Sequence, residues 1–544
     1  MSQWALSCAV LVLVGTFALF RVSHTEVFTS SKKIEDMVLQ EEHILNKLHA
    51  AVRALGNDTA MSCFDSFYQE RMPKARGRRH DTHLLGYLRH PNGIYHSIMQ
   101  FATEYENIRS ALKFARSSSI RKQLSFIATK EDITGARLSF LRLQDVYNFN
   151  TSTIIRGNYF GFPGPELGEA DIFGIGEAAF NDNRWHYAVD WLQEGLAQSR
   201  KREPTVGFFN PDNTVSPTAR TLAMIGRAYL RQGHIEKAAD MHSKALSAAA
   251  EMDEHITALE QELKVHPLIP IPLVEDENVT RLCSLQNKWT QETFDRRLVC
   301  SYREAFLPYY RFKQELISVS PYVVLFFEVI SDQEIDTFID IAKTNLRRGT
   351  VEIEGSSSVD NVRTSDLSFL DDYESPILGR LSWRVAALTG LNAAPHECGK
   401  DFNAEPFQVV NYGMGGHYSL HHDFFYGDSL TNNAEHVFFK YGGNRMATFL
   451  MYLTDVEQGG STIFSKVDLA VRPVKKMALF WYSYKPSGEQ DMDTLHAACP
   501  VVVGHKWVSN KWMWQYGNTF TRRCGLTPEA TQLDIEPYMR KGWA

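Results

Sequence analysis

Apolar residues recur at helical spacing along the first part of the chain. Between Val27 and Leu55 they fall at Ile34, Met37, Val38, Ile44, Leu45, Leu48, Val52 and Leu55, with charges on the other faces, which predicts an amphipathic helix near heptad spacing. Such a stripe either packs on its own domain or pairs with a second copy of the chain. The helical texture continues to about Leu143, with a basic loop, KARGRRH, at Lys74 to His80. A faint repeat follows between Asp171 and Leu246. There GIGEAAFNDNRWHYAVDWLQEGL aligns with AMIGRAYLRQGHIEKAADMHSKAL at an offset of 50 residues, Gly176 matching Gly226 and Ala188 matching Ala238. That offset exceeds the ~34 residues of a tetratricopeptide unit, and the excess sits in the insert KREPTVGFFNPDNTVSP. Two helical hairpins are therefore expected, with a concave surface suited to an extended peptide.

The proline-bearing segment VHPLIPIPLVEDENVT, Val265 to Thr280, breaks the helical pattern and marks a boundary. From about Tyr322 the texture changes to short β-rich runs: YVVLFFEVI, FQVVNYG, MATFLMYLTDV, MALFWYSY, CPVVVG and KWVSNKWMWQYG. One helix, SDQEIDTFIDIAKTNL, interrupts them and opens on a capping box of Ser331 and Glu334. Many short strands separated by turns predict an antiparallel sandwich or barrel. The fold class expected is thus α+β and multidomain, helical first and β-rich last.

Composition adds a few limits. A chain of 544 residues exceeds one hydrophobic core, and a net charge of −7 leaves no basic footprint for nucleic acid. An apolar run from Ala5 to Phe20 reads as a secretory signal peptide over residues 1–24, although no Lys or Arg precedes it. No later stretch reaches the length of a membrane span, so the mature chain is expected to have none. With Cys8 removed, six cysteines remain: Cys63, Cys283, Cys300, Cys398, Cys499 and Cys524. Cys283 with Cys300, and Cys499 with Cys524, are close in sequence, so disulfides closing short loops are expected there. Cys63 and Cys398 stay undecided. Sequons at Asn57, Asn150 and Asn278 agree with the secretory route. The C-terminal YMRKGWA carries no KDEL-type signal, so residence in the endoplasmic reticulum would depend on a partner.

The chemistry concentrates in GGHYSLHHDFFYGD, Gly415 to Asp428. In an extended strand, residues two apart share a face, so His421 and Asp423 can reach one ion while His422 points away. On a helix the pair would be His417 and His421, but the glycine-rich NYGMGGHYS argues against a helix. The candidate third ligand is His496 in DTLHAACPVVVG. Two histidines and an aspartate suit a non-haem Fe(II) oxygenase, and equally a zinc site. A 2-oxoglutarate co-substrate would additionally need a buried cation, for which Lys506, flanked by Val502, Val503, Trp507 and Val508, is the candidate.

QVVNYGMGGHYSLHHDF, GNRMATFLMYLTDVEQGGSTIF and SGEQDMDTLHAACPVVVGHKWVSNKW resemble the catalytic domain of the collagen prolyl 4-hydroxylase α subunit family, and LRLQDVYNFNT extends the likeness into the helical region. The resemblance implies a double-stranded β-helix (jelly roll) with Fe(II) on His421, Asp423 and His496. Lys506 would anchor 2-oxoglutarate, Tyr412 and Tyr452 would line its pocket, and L-ascorbate would keep the iron reduced. It further implies C4 hydroxylation of peptidyl proline, giving succinate and CO2, by an α₂β₂ assembly in the endoplasmic reticulum lumen with protein disulfide isomerase as β. Peptide binding would involve Tyr147, Trp185, Tyr187 and Tyr229 on the tetratricopeptide-like repeats.

This chain departs from the family in having Trp514 where a histidine is usual. A weakly catalytic subunit that binds proline-rich chains, and an oxygenase acting on a non-collagen substrate, are therefore alternative readings. The expected organisation is a signal peptide (1–24), a helical dimerisation region (25–140), a peptide-binding domain (141–255), a linker with Cys283 and Cys300 (256–320), the dioxygenase domain (321–524) and a tail (525–544).

Overall fold

The computed structural model describes residues 26–541 apart from 56–57, 79–80, 113–116, 200–216, 250–253, 266–276, 286–294, 306–308, 354–355, 359–361, 394–402 and 427–441. The expected signal peptide, the sequon at Asn57, Cys398 and the insert between the repeats lie outside these residues. The chain forms two compact units. One gathers the described residues of 1–79, 107–127 and 285–544; the other comprises those of 80–106 and 128–284. The helical region expected at 25–140 is thus shared between both.

In the first unit, α1 (Ser31–Leu39), α2 (Glu41–Arg53) and α3 (Asp58–Arg78) carry the N-terminal stripe. Ile34, Met37, Val38, Ile44, Leu45, Leu48 and Val52 are all buried, which accounts for the period, whereas Leu55 is exposed. The stripe breaks into two helices at Gln40, whose N–H donates to Asp36 O. The fully buried carboxylate of Glu41 is held by Arg71 and Arg78 of α3.

The second unit is helical. Its α4 (Lys130–Tyr147) packs on α5 (Glu169–Asn181), which pairs with α6 (Trp185–Ser199). Next come α7 (Pro217–Arg231), its partner α8 (Ile235–Ala248), α9 (Glu254–Lys264) and α10 (Glu277–Ser284). Gly176 and Gly226, the matched positions of the repeat, are both close-approach sites. A Cβ would stand 2.7 Å from Leu192 Cδ2 at the first and 3.1 Å from Met241 Cβ at the second.

The rest of the first unit is β-rich. Its strands are β1 (Cys300–Glu304), β2 (Arg311–Ser318), β3 (Val323–Phe326), β4 (Arg347–Arg348), β5 (Asp366–Leu370), β6 (Phe407–Tyr412), β7 (Tyr418–His421), β8 (Arg445–Tyr452), β9 (Thr462–Phe464), β10 (Leu469–Val471), β11 (Ala478–Tyr482), β12 (His496–Ala498) and β13 (Lys506–Trp514). A nine-stranded sheet runs β1-β2-β3-β11-β8-β13-β6-β5-β4, and a four-stranded sheet runs β7-β12-β9-β10. Neighbouring strands are antiparallel throughout. Two helices, α11 (Asp332–Ala342) and α12 (Pro376–Thr389), belong to this part. The Ser331 and Glu334 capping box forms as expected. The sheet begins at Cys300, ahead of the boundary read at 321.

Both faces of the large sheet are covered, which explains why its strands read as continuous apolar runs rather than alternations. Phe407, Val409, Phe449 and Phe480 join one core with Phe338 and Leu381 of the helices. Val410, Tyr412, Leu479, Trp481 and Val508 join another with Phe464 and Val471 of the small sheet.

The expected cysteine pairings do not form. Cys300 and Cys524 are exposed free thiols, whereas Cys283 and Cys499 are buried and disulfide-bonded otherwise. Nearness in sequence misleads because Cys283 ends α10 in one unit while Cys300 opens an edge strand in the other. Cys499 is enclosed directly after β12, whereas Cys524 lies on the solvent-facing tail. Alkylation of the native chain without reductant should therefore label Cys300 and Cys524 and spare Cys283 and Cys499, as read by peptide mass spectrometry.

Candidate active site

The small sheet brings the two separated histidine motifs together. His421 ends β7 and pairs in register with His496, which opens β12, and their ring centroids lie 4.2 Å apart. The strand stops at His421, so Asp423 sits in the following bend rather than two positions along a strand. It nevertheless turns to the same point: Asp423 Oδ1 is 3.8 Å from His421 Nε2 and Oδ2 is 3.9 Å from His496 Nε2. One ligand atom from each of the three lies within 4.8 Å of the others.

Neighbouring groups orient all three. His421 Nδ1 is 2.8 Å from Ser419 O and His496 Nδ1 is 2.9 Å from Thr494 O. A carbonyl only accepts, so each Nδ1 donates and each Nε2 faces the centre, the usual arrangement for metal-binding imidazoles. Thr448 on β8 donates a 2.6 Å hydrogen bond to Asp423 Oδ2. Burial, then the neighbouring His496, pushes the His421 imidazole down to about 3. Burial alone would oppose ionisation of Asp423, but His496, His421 and Arg445 hold its carboxyl below the usual range. A neutral imidazole and an ionised carboxylate are what a divalent cation needs from its ligands, so the residues fit a metal. Thr448→Ala leaves the buried carboxylate without that hydroxyl and should weaken metal affinity roughly tenfold, measured by Co(II) titration of the purified chain.

The remaining histidines of the cluster go elsewhere. His422 bridges Met492 O at 3.0 Å and Tyr426 Oη at 2.7 Å. The His417 backbone pairs with Thr364.

Lys506 opens β13 on the large sheet, opposite the histidine-bearing sheet, and is 2% exposed. Burial pushes its ammonium down to about 7. Its Nζ stands 5.0 Å from the centroid of the Tyr412 ring, and no carboxylate among the described residues pairs with it. Tyr412 is Lys506's cross-strand partner, with its phenol pushed up to about 12 by burial. Tyr452, also fully buried, donates to Thr462 Oγ1 at 2.8 Å.

Several polar groups around the site escaped sequence reasoning. Arg445 is gripped by both oxygens of Glu405, at 2.6 and 3.0 Å, and lies 3.8 Å above the Trp512 ring. Arg363, buried, bonds Ser365 Oγ and Gln408 Oε1, both at 3.1 Å, and lies 4.8 Å above the Tyr418 ring, which itself stacks on His421. No local pattern marks any of these.

Comparison with known proteins places the site in context. Residues 407–514 match the 2OG-Fe(II) oxygenase superfamily, and residues 30–161 match the prolyl 4-hydroxylase alpha-subunit N-terminal region. Prolyl 4-hydroxylase subunit alpha-2 of Gallus gallus is 31% identical, covering 95% of this chain and 99% of its own length. Subunit alpha-1 of Homo sapiens is 29% identical over 95% of this chain and 99% of its own. The chain belongs to the prolyl 4-hydroxylase alpha-subunit family. A viral collagen prolyl hydroxylase structure from Paramecium Bursaria Chlorella virus-1 is 25% identical over 35% of this chain and 94% of its own, with a TM-score of 0.27.

In this prolyl 4-hydroxylase alpha-family chain, Trp514 ends β13 and is 2% exposed. Its ring packs on Gly442, where a Cβ would stand 2.9 Å from Trp514 Cδ2. The aromatic candidates of the helical unit are placed unequally. Tyr147 is buried against Phe149 and Phe160. Trp185 is half-buried and edge-on to Phe180, Tyr187 packs on His186 at 3.9 Å, and Tyr229 accepts a 2.9 Å bond from Gln193.

Proposed function

We propose that this chain is the catalytic alpha subunit of a procollagen-proline 4-dioxygenase, hydroxylating peptidyl proline at C4 with O2 and 2-oxoglutarate and releasing succinate and CO2. The observation that carries this reading is the two-histidine, one-aspartate cluster on the small sheet together with a buried lysine on the large sheet that no carboxylate among the described residues pairs with, in a chain similar over nearly its whole length to prolyl 4-hydroxylase alpha subunits.

In this reading His421, Asp423 and His496 hold Fe(II), which when bound supplies the redox chemistry that couples 2-oxoglutarate decarboxylation to hydroxylation. Lys506 binds the distal carboxylate of 2-oxoglutarate and regains a full charge as it does so. Tyr412 and Tyr452 wall the pocket, and the apolar layer of Val410, Leu479 and Val508 keeps water from it. Arg445 and Thr448 hold Asp423 in place.

The two sheets are read as the halves of a double-stranded β-helix. The α5/α6 and α7/α8 hairpins are read as tetratricopeptide-like repeats that hold a proline-rich peptide, with Trp185, Tyr187 and Tyr229 as stacking surfaces. Tyr147, buried against Phe149 and Phe160, is not among these stacking surfaces. Protein disulfide isomerase as β subunit in an α₂β₂ tetramer, ascorbate as reductant and the endoplasmic reticulum lumen as location complete the proposal. The exposed sequons at Asn150 and Asn278 are consistent with that compartment. Among the described residues no helix is long and apolar enough to cross a membrane.

The test is turnover of a (Pro-Pro-Gly)-type peptide by the co-expressed pair, with succinate and product mass read together. Fe(II)-dependent succinate matched by 4-hydroxyproline is expected. Peptide binding without turnover would make the chain a binding subunit, as the Trp514 replacement would allow, and hydroxylysine or 3-hydroxyproline would overturn the assignment.

A further inference from the structure

Residues just before and at the start of α1 lie directly on β6, the strand paired with the one that opens at Lys506. Gly413 N–H donates to Thr29 O at 3.0 Å, and a Cβ on Gly413 would meet Phe28 O at 2.3 Å and Ser30 N at 2.9 Å. Only a glycine admits so close a backbone. Thr29, Ser30, Asp366 and Asn411 are all 0% exposed.

The hydrogen bonds run from this segment toward Lys506. Thr29 Oγ1 donates to Asp366 Oδ1 at 2.6 Å, and Lys33 pairs with the other carboxylate oxygen. Asn411 Oδ1 accepts from Ser30 Oγ at 2.6 Å and Lys32 N at 3.0 Å. Asn411 Nδ2 in turn donates to Lys506 O at 3.4 Å, and Asn411 faces Trp507 across the ladder as Tyr412 faces Lys506. Glu35 of α1 reaches His505 Nδ1 at 3.6 Å. Residues 29–35 thus hold both sides of the strand end from which the lysine projects.

We propose that Thr29 to Lys33 form a positioning strap that fixes the direction of Lys506, so that the N-terminal segment of the chain sets affinity for the co-substrate. Thr29 and Ser30 touch no reacting atom; they act through Asp366 and Asn411. A buried amide that loses its shortest hydrogen bond shifts toward the partners it keeps, and Asn411 would keep Lys32 N, Ser31 Oγ, which is 3.0 Å from its Nδ2, and Lys506 O. Loss of the strap contacts therefore turns the ammonium away from the co-substrate carboxylate without touching the metal ligands. This inference rests on Lys506 being the 2-oxoglutarate anchor.

The experiment uses the full-length chain co-expressed with protein disulfide isomerase, measuring KM for 2-oxoglutarate, KM for peptide and kcat. Thr29→Ala/Ser30→Ala should raise KM for 2-oxoglutarate five- to tenfold, with peptide KM and kcat within twofold. Thr29→Ser, which keeps the hydroxyl, should return the wild-type value. An unchanged KM for 2-oxoglutarate in a variant that melts like wild type overturns the proposal, and so does a parallel loss in all three constants. If the double variant does not fold, Ser30→Ala alone, which removes one hydroxyl, is read by the same split. Lys506→Ala separates the two assignments: if it leaves KM for 2-oxoglutarate unchanged, the anchor itself is wrong; if it raises KM while the strap variants do not, only the strap proposal fails.

Discussion

His421→Ala should lose stoichiometric metal binding and form no hydroxyproline, while His422→Ala keeps both. The two residues are adjacent, yet His421 Nε2 faces Asp423 and His422 bridges Met492 and Tyr426 away from that point. Removing one of three ligands leaves two donors that cannot hold the ion tightly, a loss of more than about 100-fold in affinity when even supporting contacts cost 10 to 100-fold. His422→Ala forfeits two neutral hydrogen bonds, a stability cost of about 1 kcal/mol each, with metal affinity within about threefold of wild type. Co(II) titration and peptide hydroxylation measured on the same preparations decide it. Equal loss of metal at His422 would mean that the bend after β7 is turned the other way.

Binding of 2-oxoglutarate should take up a proton above neutral pH. Burial lowers the Lys506 pKa to about 7 in the folded chain, whereas the unfolded chain keeps the ordinary lysine value near 10.5. Between those values the unfolded state binds more protons, so this group makes the co-substrate-free chain more stable as pH rises from about 7 toward 10.5. The same group costs on the order of 5 kcal/mol when it must be charged and alone. A bound carboxylate restores the ammonium, so at pH 8 each binding event should draw close to one proton from the buffer, and near pH 6 almost none. Titration calorimetry in two buffers of different ionisation enthalpy measures the uptake. Lys506→Met should abolish it and weaken 2-oxoglutarate about 100-fold, the effect of losing one buried charge-assisted contact. Proton uptake that survives in Lys506→Met would assign the titration to another group.

Much of the architecture could be read from the chain because it is written in local periodicity. The N-terminal stripe, the glycine-matched helical hairpins, the Ser331 capping box and the shift to β texture each follow from residues a few positions apart. The chemistry-bearing residues could be picked out for a related reason: His421 and Asp423 lie in one short motif, and Lys506 is conspicuous for its apolar flanks. What holds them was not legible. Thr448 reaches Asp423 across 25 residues and Ser30 reaches Asn411 across 381, and no spacing rule connects such pairs. Asp423 does come together with His421, but not through strand alternation, since it lies past the strand's end. The cysteines show the opposite failure. Short sequence separation implied pairing, but the chain passes from one unit to the other between Cys283 and Cys300.

The two histidines come from the small sheet and Lys506 from the large one. On the proposed assignment the spacing between sheets, about 10 Å in packed β layers, acts as a gauge of diacid length. 2-Oxoglutarate spans from lysine to metal with a carboxylate at one end and a keto acid at the other. Succinate keeps the distal carboxylate and gains a carboxylate at the old keto carbon, so it would still reach both walls but would present one metal-facing group where its precursor presented two. Turnover itself would then leave the lysine contact in place and weaken only the hold at the small sheet, so product would loosen from the histidine side first.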